Sequence, residues 1–461
     1  MSPWSAVARP FPWPTFPAAS SVTPIKARLR GRRYLARPAL AARHRAHGAC
    51  GQQPGTNRRS ARLADSTSPQ VVIVGAGPAG LALAVALSQQ GLRSTVLEQQ
   101  PIEALAHPPE DGRDIALTHR ARRVLEQLGI WARLPADEVA PLRQAQVRDG
   151  VSPLVLPFSA QREGHEALGW LVPNHRIREA AFAAARRAPG VELIGGTTVT
   201  TLDRGAAEAA VCSTGCVRHA APLVVAADSR FSAVRRMAGI GAQMLDFGRT
   251  AIVCRLQHEA DHEGIAHECF RYENTLAILP MAGRQCSAVV TLPSDRAAQW
   301  LALPDAEFAA RVQEQFGQRL GAMTVAAARH SYPLVGVYAH RFVAPRFALV
   351  GDAAVGMHPV TAHGYNFGLY GVEVMARELA RAHRLGHDLG GLAPLQAYER
   401  EHRRSTWPIY VGTNALVRLF TDDRAPARLL RGAVLRVARQ LPPLQAIIAR
   451  QLTGGARAAG R

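Results

Sequence analysis

VVIVGAGPAGLALAVALSQQGLRSTVLE, residues 71–98, decides the fold. Residues 71–74 are an apolar, β-branched run short enough to be one buried strand. Gly75, Gly77 and Gly80 follow as GxGxxG, with Pro78 and Ala79 between them. That order fits a tight turn, a close approach of backbone to a pyrophosphate, and a helix packed tightly on its strand. A helix then spans 79–90, Gly91 stops it, and 94–97 forms a second strand ending at Glu98. A carboxylate there can accept hydrogen bonds from ribose hydroxyls, and the free N–H groups of the helix start suit phosphate. Strand, helix, strand in this order predicts a parallel sheet and a dinucleotide site. The motif by itself leaves FAD and NAD both open.

Outward from this stretch the chain divides into unequal parts. Residues 1–68 are rich in Pro, Arg, Ser and Gly without periodicity, so they read as a disordered basic extension. An organellar transit peptide, or a start codon nearer Leu63, would explain the same composition. The expected dinucleotide-binding domain occupies 69–243 and 336–392, an antiparallel sheet domain lies at 244–335, and 393–461 is a C-terminal helical region. Within the first part, helices are expected at 119–129 and 175–188, and strands at 191–202 and 223–227. Alternation through 275–279 and 287–292 marks the sheet, with one exposed helix at 305–318. A strand at 347–350 leads into a long helix over 364–384.

The formal charge of +20 invites a nucleic-acid reading. Lys26 is the sole lysine, so the excess is an arginine bias, and much of it lies before Asp65. Aromatic residues make up only 6% of the chain and no recognition motif accompanies the charge, so no nucleic-acid partner is expected. Cys50, Cys212, Cys216, Cys254, Cys269 and Cys286 form no CxxC pair, which argues for free thiols and against a metal site. The run 71–87 approaches membrane-spanning length, but its glycines and Pro78 favour the strand and helix already described.

Two later segments choose the cofactor. LVVAADSRFSAVRRMAGI at 223–240 resembles the Asp-Gly motif of flavoprotein aromatic hydroxylases, and RFALVGDAAVGMHPVTAHGYNFGL at 346–369 resembles their Gly-Asp motif. With the N-terminal glycines, the chain over roughly 70–455 resembles the class A flavoprotein monooxygenases, and in particular the ubiquinone-biosynthesis hydroxylases UbiH, UbiF and UbiM. The string HPVTAHGYNFGL is most similar to the UbiM branch. The resemblance implies an α/β fold: a Rossmann-like FAD domain of the glutathione-reductase type, an inserted antiparallel sheet and a helical tail. It also implies FAD as cofactor, NAD(P)H as reductant, and hydroxylation of the ring of a polyprenylated phenol or quinol by O₂.

Gly351 permits a close backbone approach, Asp352 can meet ribityl hydroxyls, Pro359 stiffens the loop, and Gly364, Tyr365 and Asn366 open a helix whose dipole can face a reduced ring. By resemblance, Asp228 contacts FAD, Arg230 and Arg235 receive NAD(P)H, and Arg113 in DGRDIALT lies near the flavin. His358 and His363 are acid–base candidates or packed loop histidines; the chemistry otherwise belongs to the flavin. The chain departs from the family pattern at Ser229, Val355, Ala362-His363 and Tyr370-Gly371.

Residues 428–441 place Leu430, Val434, Val437 and Leu441 on one helical face and Arg428, Arg431, Arg436 and Arg439 on the other. Such a helix lies on a membrane or caps a domain. The expected location is the cytoplasm, peripherally on the inner face of the inner membrane, or the mitochondrial matrix if the N-terminus is a transit peptide. A biosynthetic complex is a further expected partner. A flavin-dependent cyclase or reductase, a hydroxylase of other phenols, and a non-catalytic flavin- or quinone-binding subunit remain open on sequence alone.

Overall fold

The computed structural model of the chain describes residues 68–149, 155–161, 164–270, 274–358 and 364–421. The N-terminal extension, Pro359, His363 and the basic segment at 428–441 lie outside the described residues.

At its centre Val71–Val74 pairs in parallel with Ser94–Leu97 on one side and Leu223–Ala226 on the other. Leu223–Ala226 pairs in turn with Phe347–Leu349, also in parallel. Together with Val191–Ile194 and Val343–Ala344 they make a six-stranded sheet. Every residue of the inner strands Val71–Val74 and Leu223–Ala226 is buried, as expected of a parallel sheet covered on both faces. The helix Pro78–Ser88 carries proline in its first turn, where the missing N–H is harmless. Its residues from Gly80 through Leu87 are all buried, because the helices Asn174–Arg187 and Gly364–Arg384 pack against it. Burying leucines such as Leu81, Leu83 and Leu87 contributes about 1.5–3 kcal/mol each.

The second sheet has nine strands. Its backbone is Ala242–His258, antiparallel to Gln285–Pro293 and to His330–Ala339. It extends through Thr275–Pro280 and Ile265–Phe270 to Gln144–Asp149 and Val155–Ser159. The expected limits at 244 and 335 therefore cut through continuous strands, and two strands come from far earlier in the chain. Helix Asp305–Phe316 is not simply exposed. Phe308, Val312 and Phe316, four residues apart, are buried against the sheet.

The strand expected over 191–202 is two strands, Val191–Ile194 and Val199–Arg204, separated at Gly196, whose φ of +66° breaks the extended run. The C-terminal helix Leu392–Thr421 continues through Pro408. Its buried Tyr398, His402 and Thr406 lie on one face at four-residue spacing and pack on the core beside Gly371. No helix among the described residues is long and apolar enough to cross a membrane.

Candidate flavin and substrate site

The three motif turns leave the carboxyl ends of three neighbouring parallel strands. Val74 is the register partner of Ala226, and Ala226 of Leu349, so the turns at Gly75, Asp228 and Gly351 emerge side by side. Carboxyl ends of parallel strands are where open α/β sheets bind ligands. Gly75 has φ +108°, and a Cβ on it would sit 2.6 Å from the Ala227 carbonyl oxygen. A Cβ on Gly80 would fall 2.0 Å from the Gly75 carbonyl oxygen. Gly77 differs: the nearest atom to an added Cβ is 4.0 Å away, so its open side faces a groove. No side chain caps the helix that starts there, which leaves its first N–H groups for an anion. Glu98 accepts hydrogen bonds from the N–H of Ala76 at 2.7 Å and of Gln100 at 3.1 Å, which fixes the carboxylate at the edge of this groove.

Gly351, at φ +63°, closes against Ala79: a Cβ there would stand 3.0 Å from the Ala79 Cβ. The first and last motifs thus touch, although they lie far apart in sequence. Asp352 pairs with Arg230 at 2.9 Å, and Arg230 also donates to the Val335 carbonyl. Arg230 therefore ties the second motif to the third and to the antiparallel sheet.

Other expected residues serve the fold. Asp228 accepts from the N–H groups of Ala233 and Val234, capping the short helix Ala233–Met237, so one carboxylate oxygen is committed to the backbone. Ser229, where the family pattern has glycine, is not among the residues with positive φ, so its Cβ is unstrained. Arg235 is not placed to receive a nicotinamide nucleotide. It is 2% exposed, and its guanidinium donates to the carbonyls of Ala353 and Arg230 inside the protein. Asn366 is spent internally as well, accepting from the Thr118 N–H and donating to the Ala116 carbonyl. It pins strand Asp114–Leu117 to the start of Gly364–Arg384. The Tyr365 hydroxyl is buried, and burial pushes its pKa up.

His358 is buried with its ring edge-on to Phe247 at 4.8 Å. Burial, then Arg249 and Arg230, lower its pKa to about 4. It is therefore neutral near pH 7 and cannot serve there as a charged acid. Arg113 pairs with Asp111 and lies 5.3 Å from the Tyr332 ring centroid. Burial works to raise the Asp111 carboxyl, but Arg113 and Asn174 hold it below the usual range.

That loop leads into Asp114–Leu117, a strand of a separate three-stranded sheet, and closes on the nine-stranded one. Tyr332 donates to the Asp111 carbonyl, and a Cβ on Gly112 would strike the His330 ring at 2.7 Å. Asp114, with no side-chain exposure, bonds Arg255 at 3.0 Å across the junction. Burial outweighs Arg255 and pushes the Asp114 carboxyl up. The sequence reading missed Asp114 and Arg255, since nothing in their spacing joins residues 141 apart. The departure at Tyr370-Gly371 has a local reason. A Cβ on Gly371 would meet His402 at 2.7 Å, while the Tyr370 hydroxyl bonds Glu401 and Arg120 stacks on its ring at 4.0 Å.

Among the described residues no group of His, Cys, Asp or Glu could hold a metal ion, and Cys212, Cys216, Cys254, Cys269 and Cys286 are unbridged. The open groove at Gly77, its uncapped helix start and the clash-limited glycines fit a dinucleotide pyrophosphate.

The comparisons agree. Residues 68–410 match the FAD binding domain family. The chain is 42% identical over 393 residues to the ubiquinone hydroxylase UbiM of Neisseria meningitidis serogroup C / serotype 2a, covering 84% of this chain and 85% of the relative. It is 39% identical over 408 residues to the ubiquinone hydroxylase UbiL of Rhodospirillum rubrum, covering 88% and 94%. Among solved structures, p-nitrophenol 4-monooxygenase PnpA of Pseudomonas putida DLL-E4 matches with a TM-score of 0.68 over 85% of this chain and 99% of that one. At 19% identity, that likeness is one of fold.

Proposed function

The chain belongs to the FAD binding domain family and to the family of the ubiquinone hydroxylases, and on that premise we propose that it hydroxylates the ring of a polyprenylated phenol or quinol. The overall reaction takes a ring C–H, O₂, NAD(P)H and a proton to a ring C–OH, water and NAD(P)⁺. The observation that carries this reading is the meeting of three motif turns beside the antiparallel sheet. Bound FAD supplies the electron and oxygen transfer.

The protein's own residues hold and orient. Gly75 to Gly80 receive the pyrophosphate, Glu98 the adenosine ribose and Asp352 the ribityl hydroxyls. Arg230 fixes the Asp352 carboxylate at 2.9 Å and so limits its motion. Asn366 anchors the strand from which the Asp111–Asp114 loop closes on the sheet. Leu156, Phe158, Leu168, Phe270 and Phe420 form a packed apolar cluster on that sheet, which excludes water there.

The test is substrate-stimulated NAD(P)H oxidation by the purified yellow protein, with one ¹⁸O atom from ¹⁸O₂ in the product. Nucleotide oxidation yielding only hydrogen peroxide, whatever demethoxyquinol is supplied, would overturn the reading. We further propose, from the basic and apolar pattern of the sequence at 428–441, that the protein lies peripherally on an anionic membrane at the cytoplasmic face, where such a lipid resides. Flotation with anionic vesicles checks this. Equal binding to neutral and anionic vesicles would remove the charge-based part.

A further inference from the structure

The helix Leu392–Thr421 has two unlike faces. Tyr398, His402, Thr406, Tyr410, Thr413 and Val417 are buried against the core. The outer face carries Arg400, Arg404, Trp407, Val411, Ala415 and Arg418, all exposed. Steps of four and three keep these six on one stripe. At 1.5 Å per residue the stripe runs about 27 Å. Trp407 and Val411, 46% and 45% exposed, sit one turn apart between its arginines.

The stripe bears charge of one sign. No acid occurs from His402 to Thr421. The two acids of the helix precede that span and are engaged elsewhere. Glu399 accepts from the Phe342 N–H and faces Arg403, while Glu401 pairs with Arg377 and accepts from Tyr370. Arg403 turns inward, donating to the carbonyls of Ala339 and His340. Arg400, Arg404 and Arg418 form no ion pair among the described residues. The Trp407 ring stands edge-on to Tyr338 at 5.0 Å and stacks on Tyr410 at 6.2 Å, so the indole is fixed while about half of it faces outward.

Charge and backbone together choose the occupant. A second copy laying this stripe on its own would bring like charges together in either direction, because arginine stands toward both ends. Pro408 has no N–H, so the Arg404 carbonyl lacks its usual donor one turn on. With Arg404 and Pro408 both exposed, that oxygen needs water or a headgroup donor, and a dry protein interface would strand it. Arginines flanking tryptophan and valine match the interfacial layer of a bilayer instead. There an indole sits at headgroup depth and guanidinium groups meet phosphate. The sequence at 428–441 repeats this combination of arginines and apolar residues.

We propose that this outward stripe, from Arg400 to Arg418, is the surface on which the protein lies against an anionic phospholipid bilayer. Arg400, Arg404 and Arg418 meet lipid phosphates, and Trp407 and Val411 enter the interfacial layer between them. The proposal gives the membrane reading above a contact surface on residues separate from 428–441, and it does not depend on the hydroxylation chemistry.

The test uses the full FAD-loaded chain with vesicles of phosphatidylglycerol and brominated phosphatidylcholine in equal parts, beside vesicles of brominated phosphatidylcholine alone. Bromine quenches an indole that enters the interfacial layer. Wild type is expected to bind the anionic vesicles and lose tryptophan emission on binding. Trp407→Phe, which keeps an aromatic ring against Tyr338, is expected to bind but to lose most of that quenching. Replacing Arg400, Arg404 and Arg418 together by Gln should weaken binding roughly 100-fold, about fivefold for each arginine, at unchanged Tm. Binding by that triple variant equal to wild type overturns the stripe. If Arg431→Gln, Arg436→Gln and Arg439→Gln then abolish binding, the 428–441 reading still stands. Equal quenching in Trp407→Phe and wild type also overturns the stripe, since another face then meets the lipid. A wild-type dimer in sedimentation that Val411→Glu dissolves assigns the stripe to a second copy, with the same result. Wild type that ignores every vesicle overturns the proposal and the membrane reading together, while the ¹⁸O₂ assay judges hydroxylation separately.

Discussion

Substituting Gly77 and Gly80 separately by alanine distinguishes a ligand groove from a packing contact. Gly77 has φ −67° and ψ 171°, a conformation alanine adopts freely, and an added Cβ would meet nothing nearer than 4.0 Å. Gly77→Ala should cost the apoprotein under about 1 kcal/mol, the scale of an altered helix cap. In the holoprotein the same methyl stands where the pyrophosphate must approach the backbone. Forcing one extra methyl into such a contact costs about 1–3 kcal/mol. At 1.4 kcal/mol per tenfold, FAD affinity should fall roughly 5- to 150-fold. Gly80→Ala instead drives a Cβ to within 2.0 Å of the Gly75 carbonyl, so the apoprotein itself must shift and lose stability. Titrating apoprotein with FAD by flavin fluorescence, beside urea unfolding without FAD, separates the effects. If Gly77→Ala binds FAD as wild type does, the pyrophosphate is not held at this turn.

Arg235→Gln should lower stability by about 1–3 kcal/mol for each carbonyl it leaves unpaired, seen as a lower Tm, and leave the KM for NAD(P)H unchanged. A raised KM at unchanged Tm would restore the nucleotide role that its burial denies. His267, His358 and His402 each have a pKa lowered to about 4, burial being the first cause in each case. The ordinary histidine value is about 6.5, so the unfolded chain takes up protons before the folded one does. Their stabilisation is complete above pH 6.5 and is lost as pH falls toward 4, at up to about 1.4 kcal/mol per pH unit for each group. A Tm as high at pH 5 as at pH 7.5 would contradict this.

Where local pattern and long-range packing agree, the sequence was readable. Val71–Val74, Pro78–Ser88 and Ser94–Leu97 stand within two residues of expectation because a β-branched run, a proline start and a glycine stop are local signals. The long helix was legible to the residue, Gly364–Arg384. The antiparallel sheet was legible as a class but not in its membership. Gln144–Asp149 joins it beside Ile265–Phe270 in parallel, a pairing that no neighbouring residue encodes. Side-chain duties were harder still. Arg235 and Asn366 sit inside binding motifs, yet Nη1 and Nη2 of Arg235 and both amide atoms of Asn366 bond backbone groups.

Because the glycine turn at 75–80 and the Gly-Asp turn at 351–352 come into contact only in the finished sheet, the emerging polypeptide lacks half of its cofactor grip until most of it has left the ribosome. FAD then acts as a clasp between the early and late segments. At a free concentration one hundred times its dissociation constant it would add about 2.7 kcal/mol to global stability. Scarcity of flavin should therefore show itself first as proteolysis of newly made chains, before any shortage of turnover per surviving molecule.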